Sequence, residues 1–144
     1  MFWIKQNFIH PNAKAMKQAP ESAGYDCWAP ESGQIHVGGR KLIKLGFRAM
    51  FTPGYVGLLL DKSGMGNKGI THFAGVIDES YPDEWGAILY NSTSNTFNYG
   101  TEKSIIQCVF VKYESTEVQL INDELFEQMK AVALRKGGFG SSGQ

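Results

Sequence analysis

Residues 75–81 hold the side chains whose types and spacing best suit a hydrolytic reaction. Val76 and Ile77 favour a β-strand, and they lead directly into the carboxylate of Asp78. A buried apolar strand would hold Asp78 rigidly and partly desolvated, which suits a group that orients and deprotonates a water molecule. Tyr81 offers a flat face against which a sugar or a base could rest. The alternative is an ordinary strand that ends in a polar turn.

A second group of polar residues, suited to binding a polyphosphate, lies at residues 61–66. Lys62 supplies a positive charge and Ser63 a hydroxyl group, while Gly64 and Gly66 allow close approach of a ligand to backbone N–H groups. These residue types are equally compatible with a polar hairpin turn. The segment alone therefore leaves both interpretations open.

Asp26 and Gln107 are two further polar candidates, and each also has a structural interpretation. Asp26 closely follows the flexible Gly24, an arrangement that usually forms a solvated turn. Gln107 interrupts an apolar run at residues 105–110. Because a buried amide must find hydrogen-bond partners, Gln107 is either a structural strut or a ligand contact.

The C-terminal residues 137–144 combine glycine and serine with one large side chain, Phe139. Glycine amides and serine hydroxyls can surround phosphate oxygens, and a phenylalanine ring can stack on a base. The functional interpretation is therefore a mobile flap, whereas composition alone favours a disordered tail or a linker. The segment is not a P-loop, because no Gly-Lys-Ser/Thr sequence ends it.

Short apolar segments separated by glycine turns predict an all-β fold, either a sandwich, a jelly roll or a barrel. Apolar side chains alternate along residues 40–51 with the period of a half-buried strand. Pro53 and Gly54 suit the centre of a type II turn, so the flanking residues are predicted to form a hairpin. The predicted strands are residues 34–37, 40–51, 55–61, 75–77, 85–91, 96–99 and 105–113.

One helix is predicted after Asn122 and Asp123, which can form its N-cap. Apolar residues at helical spacing follow, and this stripe is expected to pack on the domain or on a neighbour; its members are Ile121, Leu125, Phe126, Met129, Val132 and Ala133. The predicted organisation is a catalytic β-barrel domain at residues 1–120, a helix and linker at 121–136 and a glycine-rich arm at 137–144.

Fourteen basic and fourteen acidic residues give a formal net charge of zero, which argues against a nucleic-acid or membrane-surface binder. No apolar run approaches the roughly 20 residues that span a bilayer, and the N-terminus lacks the layout of a secretory signal. Cys27 and Cys108 are therefore expected to be reduced thiols of a cytoplasmic protein. The three histidines, His10, His36 and His72, lack metal-ligand spacing.

Five segments, in order, resemble the motifs of the trimeric dUTPase family (dUTP diphosphatases). They are residues 23–26, 53–65, 75–81, 105–107 and 138–143. The third and fifth segments are specific, whereas the first and fourth would be weak by themselves. The resemblance implies a jelly-roll-like β fold and a homotrimer with three active sites at subunit interfaces. It also implies hydrolysis of dUTP to dUMP and pyrophosphate with bound Mg²⁺.

The resemblance assigns roles around the nucleoside. Asp78 matches the carboxylate that orients the water attacking the α-phosphorus. Tyr81 matches the aromatic that packs on deoxyribose and leaves no room for a 2′-hydroxyl. Gly75 and Ile77 lie in the loop whose backbone groups would face the uracil edge and reject cytosine.

The resemblance assigns further roles around the phosphates. Lys62, Ser63 and Gly64 match the phosphate-binding segment, with Ser63 near the bridging oxygen whose developing charge must be stabilised. Asp26 and Gln107 match positions that hold water molecules of the Mg²⁺ shell.

In the C-terminal arm, Phe139 matches the aromatic that covers uracil when the arm closes. Gly140, Ser141 and Ser142 match γ-phosphate contacts. Arg135 lies one residue closer to the glycines than the family arginine, whose strict counterpart is Leu134. Either Arg135 or Lys136 is therefore expected to reach the γ-phosphate.

Other positions also depart from the family pattern. Lys62 stands where the family usually has arginine. A guanidinium group that can donate two parallel hydrogen bonds is therefore replaced by a single ammonium charge. Pro82 and Asp83 replace the usual Arg-Gly after the tyrosine, and Ser104 occupies a basic position before Gln107. These departures are expected to affect the catalytic rate and the binding of phosphate more than the type of reaction.

Two other functions remain open from the sequence. A dCTP deaminase would need a glutamate base, for which Glu84 is available, but the expected arginines around the phosphates are missing. A nucleotide-sensing regulatory protein that lost turnover would be compatible with the altered phosphate contacts.

Overall fold

The computed structural model describes residues 1–132, which form twelve β-strands and two short helices. In chain order these are β1 (Ile4–Phe8), β2 (Lys17–Gln18), β3 (Tyr25–Cys27), β4 (Gly33–Ile35), β5 (Arg40–Lys44), β6 (Phe47–Phe51), β7 (Tyr55–Leu60), α1 (Ser63–Gly66), β8 (Ile70–Phe73), β9 (Val76–Ile77), β10 (Gly86–Asn91), β11 (Phe97–Tyr99), β12 (Ile106–Lys112) and α2 (Asp123–Ala131). The chain divides into two compact units, and all twelve strands lie in the first unit, residues 1–114. The prediction of an all-β fold with a short C-terminal helix is confirmed, while the predicted domain boundaries stay predictions.

The strands form four antiparallel sheets whose neighbours are mostly distant in sequence, as in a jelly roll. The largest sheet has the order β2-β3-β12-β7-β9, and a second has the order β5-β10-β8. Two-stranded pairs, β1-β6 and β4-β11, complete the arrangement. Because β12 lies between β3 and β7, residues from three distant parts of the chain meet along one strand.

An aromatic cluster forms the centre of the core. Trp85 and Phe47 are fully buried, with ring centroids 5.4 Å apart. Phe51 packs edge-on against Phe110 at 4.8 Å and against Trp85 at 6.2 Å. Such aromatic pairs each add about 0.5–1.5 kcal/mol beyond the burial of apolar area. The cluster therefore ties residues of β6, β12 and the segment before β10 together.

Residues 40–51 form two strands, so the prediction of one continuous strand is wrong. The predicted alternation is present, because Ile43, Phe47 and Ala49 are buried while Arg48 is exposed. The break lies at Gly46, which has a φ of +77°. Its N–H donates to the Glu84 carboxylate at 3.0 Å, and its carbonyl accepts from two backbone N–H groups of the segment after β1. Because these hydrogen bonds use the backbone groups of Gly46, the residue does not continue the strand from β5 into β6.

The predicted hairpin at Pro53 and Gly54 is also wrong, although the chain does turn there. Gly54 has a φ of +80°, the conformation that a type II turn needs at its third position. However, β6 pairs with β1, and β7 pairs with β12 and β9. The turn therefore passes the chain from one sheet to another and does not pair its two flanking strands.

The predicted helix is confirmed as α2. The Asn122 side chain accepts a hydrogen bond from the Leu125 N–H at 2.9 Å, which makes Asn122 the N-cap. Ala133, the last residue of the predicted stripe, lies outside the described residues. The expected packing of this stripe stays a prediction. Neither helix of residues 1–132 has the length and apolar character that a membrane span requires.

Both cysteines are free and buried, on neighbouring strands of the largest sheet. Burial raises the pKa of the Cys108 thiol to about 12. Burial, together with the nearby Cys108, also raises the pKa of Cys27. Because the thiolate is the reactive form, the two thiols are inert at neutral pH.

Candidate active site

A polar cavity of about 240 Å³ lies where β3 and β12 approach the turn after β7. Strand register puts Gln107 opposite Asp26 on one side and opposite Leu60 on the other. Lys62 and Ser63 follow directly after β7 and line the same cavity. The structure therefore brings together Asp26, Lys62, Ser63 and Gln107, four of the residues predicted from sequence to form the site.

Hydrogen bonds fix the side chains around this cavity. Asp26 forms an ion pair with Lys62, and both side chains are about one-third exposed. The Gln107 amide nitrogen donates to the Asp61 carbonyl at 2.9 Å, which ties β12 to the turn. A Cβ atom on Gly24 would collide with the Gln107 side-chain oxygen, so any larger residue there would displace the Gln107 amide. Gln107 is therefore a structural strut through its nitrogen, while its oxygen lies over Gly24.

Asp61 anchors the start of the turn, a role that was not predicted from the sequence. One carboxylate oxygen accepts a hydrogen bond from the Thr71 hydroxyl at 2.7 Å, and the other lies 2.8 Å from Nδ1 of His72. Both partners belong to β8, which therefore holds the residue next to Lys62. A separation of ten or eleven residues carries no motif that would have revealed these contacts.

A second cavity, of about 260 Å³, is lined by the predicted residues Gly75, Ile77 and Tyr81. Phe73, which is exposed, contributes an apolar wall. Gly75 has a φ of +115°, and a Cβ atom there would lie 2.7 Å from the Leu59 carbonyl oxygen. The chain can therefore bend between β8 and β9 only because this residue is glycine.

Glu84 and Lys44 also line the second cavity, and neither was predicted to do so. Their side chains lie 3.9 Å apart, and the other Glu84 oxygen accepts the Gly46 N–H. Glu84 therefore has a structural role at the break between β5 and β6. The hydrogen bond from Gly46 occupies the carboxylate of Glu84, the residue that a deaminase would use as its base.

Asp78 directly follows β9 and is exposed, which corrects part of the expectation for its surroundings. Ile77 is buried at 7% exposure, as expected, but Val76 is 66% exposed. The reason is that β9 is a two-residue edge strand, so its alternate side chain faces away from the core. The Asp78 carbonyl accepts from the Tyr81 N–H at 3.0 Å, which forms a turn.

Glu79 fixes the other side of this turn. Its carboxylate accepts a hydrogen bond from the Gly54 N–H, at the turn between β6 and β7. The loop that carries Asp78 is thus attached to the neighbouring sheet connection. Glu79 was not predicted as a site residue, and only its position next to Asp78 could have indicated it.

The two cavities have no lining residue in common. Within residues 1–132, the structure therefore places the residues predicted to contact the nucleoside apart from Asp26, Lys62, Ser63 and Gln107. Gly64 lines a further cavity next to Lys62. The predicted arm contacts lie outside the described residues; these are Arg135, Lys136, Phe139, Gly140, Ser141 and Ser142.

The family model for dUTPase matches residues 12–143 of this chain. The deoxyuridine 5'-triphosphate nucleotidohydrolase of Yarrowia lipolytica is 31% identical over 142 residues, which cover 97% of this chain and 88% of that protein. The protein of the same name from vaccinia virus (strain Copenhagen) is 32% identical over 127 residues, covering 88% of this chain and 83% of that protein.

Solved structures agree with the sequence relatives. The Staphylococcus bacteriophage 80alpha dUTPase with dUPNHPP has a TM-score of 0.87 at 22% identity and covers 99% of each chain. A mutant dUTPase from phage phi11 of S. aureus, described for its structural Mg(II) ion, has a TM-score of 0.78 at 19% identity. It covers 84% of this chain and 97% of the phage chain. At such identity these structures establish the fold, and the sequence matches over most of its length show that the chain belongs to the dUTPase family.

Proposed function

We propose that the chain is a dUTP diphosphatase, which hydrolyses dUTP to dUMP and pyrophosphate. The family match and the two relatives named as deoxyuridine 5'-triphosphate nucleotidohydrolases support this activity. The observation that carries the proposal is the position of Asp78. Its exposed carboxylate directly follows the strand whose residues line the candidate nucleoside cavity.

In this proposal, Gly75, Ile77 and Tyr81 select the nucleoside. The backbone at Gly75 and Ile77 presents polar groups to the uracil edge, and cytosine would leave some of them unpaired. The Tyr81 ring packs on deoxyribose and excludes a 2′-hydroxyl. The apolar surroundings of this cavity suit a base and a sugar better than a charged group.

Lys62, Ser63 and Gly64 bind the phosphates. The Lys62 ammonium pairs with Asp26 in this structure, and the proposal requires it to turn towards the more highly charged triphosphate. The Ser63 hydroxyl donates to the oxygen that bridges the α- and β-phosphorus atoms. Asp61, held by β8, keeps this segment in place.

Asp78 acts as the general base. Its carboxylate accepts a proton from water as the water oxygen bonds to the α-phosphorus. The bond from the α-phosphorus to the bridging oxygen breaks, and pyrophosphate leaves with that oxygen. Charge develops on the leaving oxygen, where Ser63 and Lys62 stabilise it.

The residues around the polar cavity fit Mg²⁺ held through water. Mg²⁺ keeps several water ligands and usually takes one or two carboxylates together with substrate phosphates. Asp26 supplies one half-buried carboxylate, and Gln107 supplies an amide oxygen whose nitrogen is already bonded. Within residues 1–132 no three His, Cys, Asp or Glu side chains gather as a metal cage. When bound, the ion would neutralise charge on the phosphates.

We also propose that a complete site needs more than one copy of the chain, as in a homotrimer. The candidate nucleoside and phosphate cavities are separate within one chain. A neighbouring copy that brings its phosphate cavity to Asp78 would join them. The arm residues Arg135, Phe139, Gly140, Ser141 and Ser142 are proposed to close the site. A cytoplasmic location, supported by two free thiols, is part of the same proposal.

The proposal is tested by incubating the full chain with dUTP, dCTP or UTP in the presence of Mg²⁺. We expect pyrophosphate from dUTP alone. Ammonia released from dCTP would instead indicate a deaminase. Binding of dUTP without product would indicate a regulatory protein, and either result would overturn the proposed reaction.

A further inference from the structure

A cavity of about 390 Å³ adjoins the candidate phosphate site, and most of its lining residues have no role assigned above. Lys62 lines both cavities, which makes them neighbours. The other residues that line the 390 Å³ cavity include Trp28, Lys68 and Lys103, with Glu102 beside them. Four charged side chains therefore surround one recess, and three of them are cations.

Lysine side chains that line one cavity repel one another unless an anion lies between them. Lys62 has a partner, because it pairs with Asp26. In the part of the chain that the structure describes, neither Lys68 nor Lys103 forms a salt bridge. Asp26 and Glu102 together offset two of the three positive charges. The recess therefore keeps a net positive charge and is suited to an anion.

The backbone holds Lys62 and Lys68 on either side of a single helical turn. The Lys62 carbonyl accepts the N–H groups of Met65 and Gly66 at 2.8 and 2.9 Å, and the Lys68 N–H donates to Met65 at 3.0 Å. Met65 is buried and fixes this turn to the core. The spacing of the two lysine backbones is therefore set by the fold.

The wall that includes Trp28 and Lys103 is fixed independently. Ile105, two residues after Lys103, donates its N–H to the Cys27 carbonyl at 2.9 Å. Lys14 donates to the Thr101 carbonyl at 2.6 Å and lies 5.9 Å from the centre of the Trp28 ring. These contacts hold the loop before β12 against Trp28.

We propose that Lys68 and Lys103 bind the outer phosphates of the nucleoside triphosphate and then the pyrophosphate product. This inference rests on the proposed function, since it assigns the part of the substrate that leaves. It also explains how the chain tolerates a point charge at Lys62 and the uncharged Ser104. Lys68 and Lys103 in the adjoining cavity supply the positive charge that Ser104 lacks, and they add donors beside the single ammonium group of Lys62.

The test is calorimetric binding of inorganic pyrophosphate to the full chain in metal-free buffer. Loss of one charge-assisted contact weakens binding by about tenfold or more, so Lys68→Ala and Lys103→Ala should each raise the Kd by that factor. Glu102→Gln should lower the Kd, because it removes a repulsive charge. Lys112→Ala, an exposed lysine at the far end of β12, is the matched control and should leave the Kd unchanged.

Binding of dUMP, which lacks the outer phosphates, should be the same in all four variants. An unchanged pyrophosphate Kd in both lysine variants would overturn the inference, as would equal weakening by Lys112→Ala. The opposite shift expected for Glu102→Gln keeps the test decisive if one lysine variant fails to fold.

The measurement separates this inference from the proposed function. If dUTP is hydrolysed but the two lysine variants bind pyrophosphate normally, only the inference fails. If dUTP is not hydrolysed while the variants lose pyrophosphate, the reaction fails and the anion site stands.

Discussion

At the residue scale, Asp78 and Glu79 are neighbouring carboxylates with different surroundings. The Glu79 carboxylate accepts the Gly54 N–H and thereby supports the fold. The Asp78 side chain is exposed, and only its backbone carbonyl is used to form the local turn. A change at Asp78 can therefore remove chemistry at little structural cost.

Asp78→Asn is expected to abolish most turnover while dUTP binding persists. The amide is isosteric but cannot accept the proton from water, so kcat should fall by about 10²- to 10⁴-fold. Pyrophosphate release and calorimetric binding of a non-hydrolysable dUTP analogue measure the two properties separately. Asp83→Asn, an exposed carboxylate in the same loop, is the control. Undiminished turnover would exclude Asp78 as the base.

The cysteines allow a second test at this scale. Since the pKa of Cys108 is raised to about 12 and that of Cys27 is raised as well, the thiolate fraction of both is negligible at pH 8. Iodoacetamide should therefore modify neither thiol in the native protein and both after denaturation, as mass spectrometry would show. Rapid modification of the native protein at pH 8 would contradict the burial of these side chains.

At the scale of elements, the sequence predicts which side chains face inward better than it predicts which strands pair. Alternation along residues 40–51 correctly identified the buried face, because each residue carries its own hydrophobicity. The break at Gly46 depends on Glu84, a partner 38 residues away. The prediction of a hairpin at Pro53 and Gly54 was wrong for a similar reason, because β7 pairs with strands distant from the turn.

The candidate site shows the same division. The residues predicted around the polar cavity, such as Asp26 and Gln107, do lie together. Asp61 and Glu79, which hold the site in place, were not found. Their partners are set by tertiary structure, so no local spacing identifies them.

The bend between β8 and β9 is predicted to be intolerant of substitution. Gly75→Ala places a Cβ atom against the Leu59 carbonyl and in a strained backbone conformation, so the free energy of unfolding should fall by about 1–3 kcal/mol. Denaturant unfolding measures this loss. Gly66→Ala, where an added Cβ meets nothing within 4 Å, is the control and should be nearly neutral. Equal stability of both variants would show that the bend is not strained.

At the scale of the whole molecule, the separation of the two cavities supports the proposed assembly of several copies of the chain. Neither cavity of one chain combines the residues assigned to the nucleoside with those assigned to the metal and the adjacent phosphates. A head-to-tail interface, repeated around a three-fold axis, would join unlike surfaces of neighbouring chains. Activity should therefore depend on assembly.

Mixed assemblies test this dependence. Asp78→Asn and the double variant Lys62→Ala/Ser63→Ala should each be inactive alone. Co-expressed in equal amounts, they should restore about a quarter of all sites, because one of the three interfaces in each mixed trimer combines two intact halves. Pyrophosphate release from the purified mixture measures the recovery. Mixed trimers that form, as native mass spectrometry would verify, but remain inactive would show that each chain supplies a complete site.

The complete burial of Trp85 among Phe47, Phe51 and Phe110 gives the molecule an internal optical reporter. Its indole is shielded from water and should emit at short wavelength until the sheets separate. Trp28, which lines the lysine-rich cavity, is partly exposed and should respond to an anion there without any unfolding. Fluorescence of single-tryptophan variants can thus follow the integrity of the interior and the occupancy of the surface recess as two independent signals.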